Sequence, residues 1–447
     1  MKRWMIGLMI VLAALWTAAL ADEEQGSCGA GLGWVLDDSG LLTISGSGPM
    51  DDYEWNRSPW FRNENVRRVV MEGVTHVGNY AFYGCHRLTE VSLGEAAESI
   101  GGSAFSACRL LSACPFPASL RSIGELAFSD TGFTGMVVPA YVTEVGEGAF
   151  TCCRNLPQIA VADGNPSVAA VNGVLFTRDM KTLLCYPSDR PAVSYDVPEG
   201  VTRIGGWAFQ SCDNLQSIRL PESLTAIGPK AFALSHHFTE IRIPDGVTEI
   251  GFAAFNICTA LEEVTIPAGV TELAEGLFAY SDGLRRVILH DGITSIGDEV
   301  FAGCYQLANL RLPAGLERIG GIAFEGCTAL GTLDIPESVE SIGEDAFVDS
   351  GVRLVCVEGS AGEAYAEAAG LDSVTVYRET LILPEDTEEI GAEAFARLGE
   401  HVNIRIPART VRIADSAFDG STLLIVCAAD SYAAGWAEDH GIPWLDR

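Results

Sequence analysis

The sequence predicts an α/β-type repeat solenoid with short parallel strands, about thirteen coils of 22–23 residues each. Three observations carry this. An Ala-Phe pair, or a close substitute, recurs thirteen times, at Phe82, Phe105, Phe128, Phe150, Phe209, Phe232, Phe255, Phe278, Phe301, Phe324, Phe347, Phe395 and Phe418. Ten of the twelve gaps between them are 22 or 23 residues, a spacing at which each repeat is one coil stacked on its neighbours. Proline and glycine also return in fixed register with the phenylalanine, so several spacings agree at once.

The chain opens with a secretion signal over residues 1–21. Lys2 and Arg3 give the positive start, Trp4 to Leu20 the apolar run, and Ala19-Leu20-Ala21 the small-residue cleavage site before Asp22. An uncleaved anchor is the rival reading, because the run is nearly long enough to span. No later stretch would cross a bilayer, so the mature chain should have no stable transmembrane segment. Removing Lys2 and Arg3 from the 28 basic residues leaves 26 against 60 acids, a net charge of −34 from Asp22 onward. That field disfavours nucleic acid and anionic lipid.

One repeat shows how a coil forms. In Leu261–Phe278, apolar Leu261, Val264 and Ile266 flank polar Glu263 and Thr265, the alternation of a strand with one buried face. Pro267 ends the strand because it has no N–H for the ladder. A second apolar pair, Val270 and Leu273, follows. In most coils a glycine comes next, for example Gly78, Gly101, Gly124, Gly251 or Gly320, and is expected at positive φ in a sharp turn. The Ala-Phe pair then fills the core. Each coil buries five to seven apolar side chains, on the order of 10 kcal/mol at roughly 1.5–3 kcal/mol each, before entropy is subtracted. No coil stands alone.

The pattern L-x-x-V-x-I-P…V-x-x-I-G-x-x-A-F-x-x-C resembles the BspA-type leucine-rich repeat of bacterial surface and secreted proteins, over residues from about 67 to 422. Cys28-Gly29, Trp34, Leu41 to Gly46 and Ser58-Pro59-Trp60 resemble the lead-in of secreted members. Residues 22–66 therefore read as an N-terminal cap, and 67–350 as the repeat array. The resemblance implies adhesion to proteins or glycans outside the cell.

Two breaks interrupt the period. Phe150 and Phe209 stand 59 residues apart, and a hairpin insertion is expected near 160–197, with Val174-Leu175-Phe176 and Leu183-Leu184-Cys185-Tyr186 around a turn at Arg178–Lys181. It reads either as a protruding binding element or as a decorative insertion. Further on, residues 306–376 and 377–447 align at a constant offset of 71, with Pro313 matching Pro384, Phe347 matching Phe418 and Cys356 matching Cys427. The ending of the first copy, 351–376, reads as a helical cap-like segment, with a capping box from Ser360 to Glu363 and Gly370 to close it. Residues 377–422 are then a short duplicated repeat pair and 423–447 a C-terminal cap. The duplicated block should dock on the first array or extend it.

Thirteen cysteines include seven at one register, three residues after the repeat phenylalanine: Cys85, Cys108, Cys153, Cys212, Cys258, Cys304 and Cys327. Other coils place Thr131, Ser235, Ser281, Ser350 or Ser421 there, so the site wants a small side chain. A buried thiol ladder is favoured over disulfides. No Cys-x-x-Cys pair, His-Glu-x-x-His, phosphate loop or Gly-x-Ser-x-Gly elbow occurs, and no catalytic, cofactor or metal residues are assigned. The chain reads as non-enzymatic.

The candidate binding residues are arginines on the outward strand face. Positions eight and ten residues after each phenylalanine collect Arg219, Arg242, Arg286 and Arg311, in a chain with few basic residues. They read either as a recognition stripe for an acidic or sugar-carboxylate partner, or as cross-strand supports such as Arg242 with Glu263. The partner class is an extracellular protein or glycan. A structural spacer without a specific ligand is the alternative, and a surface hydrolase a more remote one.

Overall fold

The structure, a computed structural model, describes residues 24–396, 398 and 400–447. The secretion signal expected over 1–21 lies outside the described residues. The chain divides into two compact units: one runs to Val193 and includes Gly200–Leu215, and the other comprises Ser194–Glu199 and Gln216–Arg447.

The first unit begins with an antiparallel meander: β1 (Glu24–Gly29), β2 (Leu32–Leu36) and β3 (Leu41–Pro49). β3 runs parallel to β4 (Arg68–Val77), where the coils begin. Most of the following coils contribute two short parallel strands. One ladder holds β5 (Glu90–Ser92); the other holds the two-residue strands β6 (Ser99–Ile100) and β7 (Ser122–Ile123). β8 (Met136–Val138), β9 (Glu144–Val145) and β10 (Ile159–Val161) continue the two ladders, β9 beside β7 and β10 beside β8. The second ladder comes from the apolar pair after the proline, which the sequence marks only as two core positions.

The insertion is not a protrusion. β11 (Val168–Val171), β12 (Val174–Thr177) and β13 (Thr182–Cys185) form an antiparallel meander, and β13 pairs in parallel with Arg203–Ile204. Val174, Leu175, Phe176, Leu183 and Cys185 are all buried, and among the turn residues Arg178, Asp179 and Lys181 are exposed. Both apolar faces were needed inside, so the hairpin completes the core.

The phenylalanines form a stack of rings. Phe82–Phe105 and Phe105–Phe128 have centroids 5.0 and 5.3 Å apart and lie within 6° of parallel. In the second unit Phe232, Phe255, Phe278, Phe301, Phe324 and Phe347 continue in the same manner at 5.0–5.8 Å. Counting phenylalanines gives too few coils. Trp60 stacks on Phe82 at 5.3 Å and Tyr186 on Phe209 at 5.1 Å, so both are rungs that the Phe pattern misses.

The consensus glycines are not at positive φ, contrary to expectation. They are needed for close approach: a Cβ at Gly124 would lie 2.7 Å from the Gly101 backbone, and one at Gly320 would lie 2.4 Å from that of Gly297 and Asp298. Positive φ falls instead two residues before and two after most of the phenylalanine rings, often without glycine. Ser103 and Ala107 around Phe105 have φ of 53° and 62°, and Ala253 and Ile257 around Phe255 have 52° and 57°.

In the second unit the duplicated block docks on the end of the array. Helix α1 (Ala361–Ala369) starts at Ser360, whose hydroxyl accepts from the Glu363 amide, and ends at Gly370 with φ 65°. Helix α2 (Tyr432–Asp439) starts at Ser431 in the same way. Tyr365 of α1 closes the ring stack edge-on to Phe347, and its counterpart Trp436 does the same to Phe418. Val355 and Val374 of the first copy pack against Leu424 and Leu445 of the second. Arg378 pairs with Glu337, and Arg447 with Asp334, each at 2.7 Å. The Asn403 side chain accepts from the Tyr377 amide and donates to its carbonyl.

Candidate binding surface

All thirteen cysteines are free thiols. Those in the repeat register do more than fill space. Cys108 donates to the Phe82 carbonyl at 3.2 Å, Cys258 to that of Phe232 at 3.2 Å, and Cys327 to that of Phe301 at 3.1 Å. Ser281 makes the same bond to Phe255 at 2.8 Å. The register therefore selects a small hydrogen-bond donor, which explains why cysteine and serine alternate there. Burial pushes the thiols of Cys85, Cys153, Cys258 and Cys327 up to about 12. They stay protonated and unreactive, leaving chemistry to the outer surface.

On the strand face of the second unit, the alternation of the sequence places Val264, Val287 and Leu333 inward and their neighbours outward. Arg219, Arg242, Arg286 and Arg311 are all exposed on this outward set. They differ in their partners. Arg242 donates to Glu222 at 2.5 Å, a bond that raises the guanidinium pKa further. Arg286 lies 3.6 Å from Glu263, its direct neighbour in the parallel register. The expected pairing of Arg242 with Glu263 does not form, because Glu263 stands beside Glu240 on one side and Arg286 on the other. Arg219 and Arg311 make no ion pair among the described residues. They stand 92 residues apart, four coils of 23, or roughly 20 Å at about 4.8 Å per coil. The four arginines thus form two neutralised and two available positive charges.

The first unit carries a groove of about 630 Å³ on the side of β6, β7 and β9, lined by polar His76, Ser99, Ser122 and Thr143 and by apolar Ile100, Ile123, Val145 and Val168 among others. His76 Nδ1 is 2.7 Å from Ser99 Oγ, and its Nε2 is 3.3 Å from Asp52 Oδ1. The Asn79 amide, followed by His76, holds the Asp52 carboxyl below its usual range. The sequence offered one faint signal for this chain: His76 replaces the serine that Ser99, Ser122 and Ser295 supply at its register. A serine, a base and a carboxylate in line suggest acyl transfer, which also requires free amides for an oxyanion. The neighbouring amides are committed: Gly101 donates to Val77, Gly124 to Ile100, and Gly102 to the Asn79 side chain. Among the described residues no three His, Cys, Asp or Glu side chains cluster as a metal site, and no helix is long and apolar enough to cross a membrane.

A family model described as "BspA type Leucine rich repeat region" matches residues 57–176, 188–308, 225–353 and 373–431. Among solved structures, a leucine-rich repeat protein from Eubacterium ventriosum is 28% identical with a TM-score of 0.62, covering 74% of this chain and 95% of that one. A leucine rich cell surface protein from Faecalibacterium prausnitzii is 23% identical with a TM-score of 0.41, covering 78% and 98%. The pneumococcal vaccine antigen PcpA is 17% identical with a TM-score of 0.44, covering 79% and 98%. No curated protein matches the chain in sequence. With the repeat matched over most of its length and the ring-stacked parallel coils that such a repeat requires, the chain belongs to the BspA-type leucine-rich repeat family.

Proposed function

We propose that this chain acts outside the cell or on its surface as a non-enzymatic binding protein for another protein or a glycan. The observation that carries the reading is the strand face of the second unit, where Arg219 and Arg311 are exposed and unpaired among the described residues of a strongly acidic chain. An exposed cation in an acidic chain is matched to an acidic or sugar-carboxylate group on a partner. On this reading residues 1–21 direct export, 22–66 cap the array, and 351–376 and 423–447 close the two copies of its end.

The test is a matrix-protein and glycan array probed with protein starting at Asp22. A saturable ligand is expected, with at least tenfold weaker binding when Arg219 and Arg311 are both changed to Ala. Unaltered binding by that double variant would remove the arginines from the site. A spacer without a ligand is the second reading, favoured by the pairing of Arg242 with Glu222 and Arg286 with Glu263, which only supports the sheet. It predicts an array with no saturable ligand.

A further inference from the structure

The strand ladder of the first unit is broken at one coil. β5 pairs with β4 on one side, and among the described residues no strand pairs with its other edge. The segment that should lie there, Ser112–Pro117, contains Pro115 two residues ahead of the usual strand-ending proline. Pro115 lacks an N–H and constrains Cys114 before it. Phe116 turns inward against Phe128, with centroids 5.8 Å apart, and its carbonyl accepts from the Tyr141 hydroxyl at 2.8 Å. The segment is thereby held off the ladder. Between it and β5 lies a groove of about 690 Å³, inside the roughly 300–1,000 Å³ of ordinary ligand clefts.

The second unit shows what the missing strand would do. There Glu263–Thr265 is paired by Arg286–Ile288 of the next coil. The Glu262 carbonyl accepts from the amides of Arg285 and Arg286, and the Ile266 amide donates to the Ile288 carbonyl. Thr89 and Leu93 occupy the corresponding positions beside β5, and among the described residues neither the Thr89 carbonyl nor the Leu93 amide has a backbone partner there. Leu93 is 2% exposed, so its amide is a buried donor beside an open groove. A buried donor without a partner costs about 1–3 kcal/mol, which an added acceptor recovers. The charged side chains lining the groove are Glu90 and Glu95, both acidic.

We propose that the open edge of β5 accepts an extended, basic polypeptide segment of a partner protein as an added parallel strand. Backbone bonds to Thr89 and Leu93 supply the affinity, and Glu90 and Glu95 select positive side chains. This rests on the reading of the chain as a binding protein and narrows the partner at this site to protein. The site is separate from Arg219 and Arg311, so the two readings fail separately.

The probe is a fluorescein-labelled peptide with the sequence of residues 284–290, Leu-Arg-Arg-Val-Ile-Leu-His, the segment that fills this place beside Glu263–Thr265. Its binding to the full chain is read by anisotropy. Saturable binding is expected, weakened about tenfold or more by N-methylation of the two arginine amides, and likewise by Glu90→Lys with Glu95→Lys in the protein. Arg219→Ala with Arg311→Ala should leave it unchanged. Equal binding of the N-methylated peptide, no saturation up to roughly 1 mM, or loss of binding in the arginine variant would each overturn the proposal.

Discussion

The thiol of Cys258 lies 3.2 Å from the carbonyl oxygen of Phe232, a residue of the preceding coil. Each such bond ties one coil to the next at the point where the rings stack. Cys258→Ser should therefore cost less than about 1 kcal/mol, since Ser281 already makes this bond one coil further on. Cys258→Val fills the space but leaves the carbonyl without its donor, and should cost about 1–3 kcal/mol. Urea midpoints of the two variants separate the donor role from simple packing.

The buried thiols also set a pH dependence. Their folded pKa of about 12 lies above the unfolded value of about 9. The stability they contribute is complete below about pH 9 and is lost as pH rises toward 12, because unfolded thiols ionise first. Stability measured by urea at several pH values should fall across that window, and fall less steeply when Cys85 and Cys258 are both changed to Ser. An unaltered slope would remove the thiols as its cause.

Glycine and non-glycine positions should respond in opposite senses. Gly124→Ala places a methyl 2.7 Å from the backbone of the preceding coil and should cost at least about 2 kcal/mol. Ala107→Gly relieves a left-handed residue with φ 62° and should gain up to about 1 kcal/mol. Thermal melting of both variants tests whether the glycine is needed for proximity or for turn geometry.

Ending the chain after Tyr377 would uncover Val355, Val374 and Val376, which now face Leu424, Leu445 and Val426. The shortened chain should melt at a lower temperature and self-associate through the exposed valines. Calorimetry and light scattering measure the two effects. A monomer with an unaltered melting temperature would show that the docked block contributes nothing to the array.

The fold was legible because one residue type marks most rungs at a constant interval. Trp60 and Tyr186 escaped notice because a stack requires a flat ring, whereas the pattern sought a phenylalanine. The glycine positions were visible but their reason was not, since coil-to-coil distance is a property of two repeats and no single repeat encodes it. The arginines were legible as outward residues. Their partners were not, because Arg242 reaches back to Glu222, just past the strand of the preceding coil, rather than forward to Glu263. The open edge of β5 was announced only by Pro115, one proline among 19.

Tyr365 and Trp436 each meet the last ring of their copy edge-on, one behind a short helix and the other behind its repeat. A flat ring invites another on its face, whereas an edge-on ring turns its own face away from the stack it closes. Each duplicated block thus carries its own full stop, and copying it lengthens the chain without leaving an unfinished terminus.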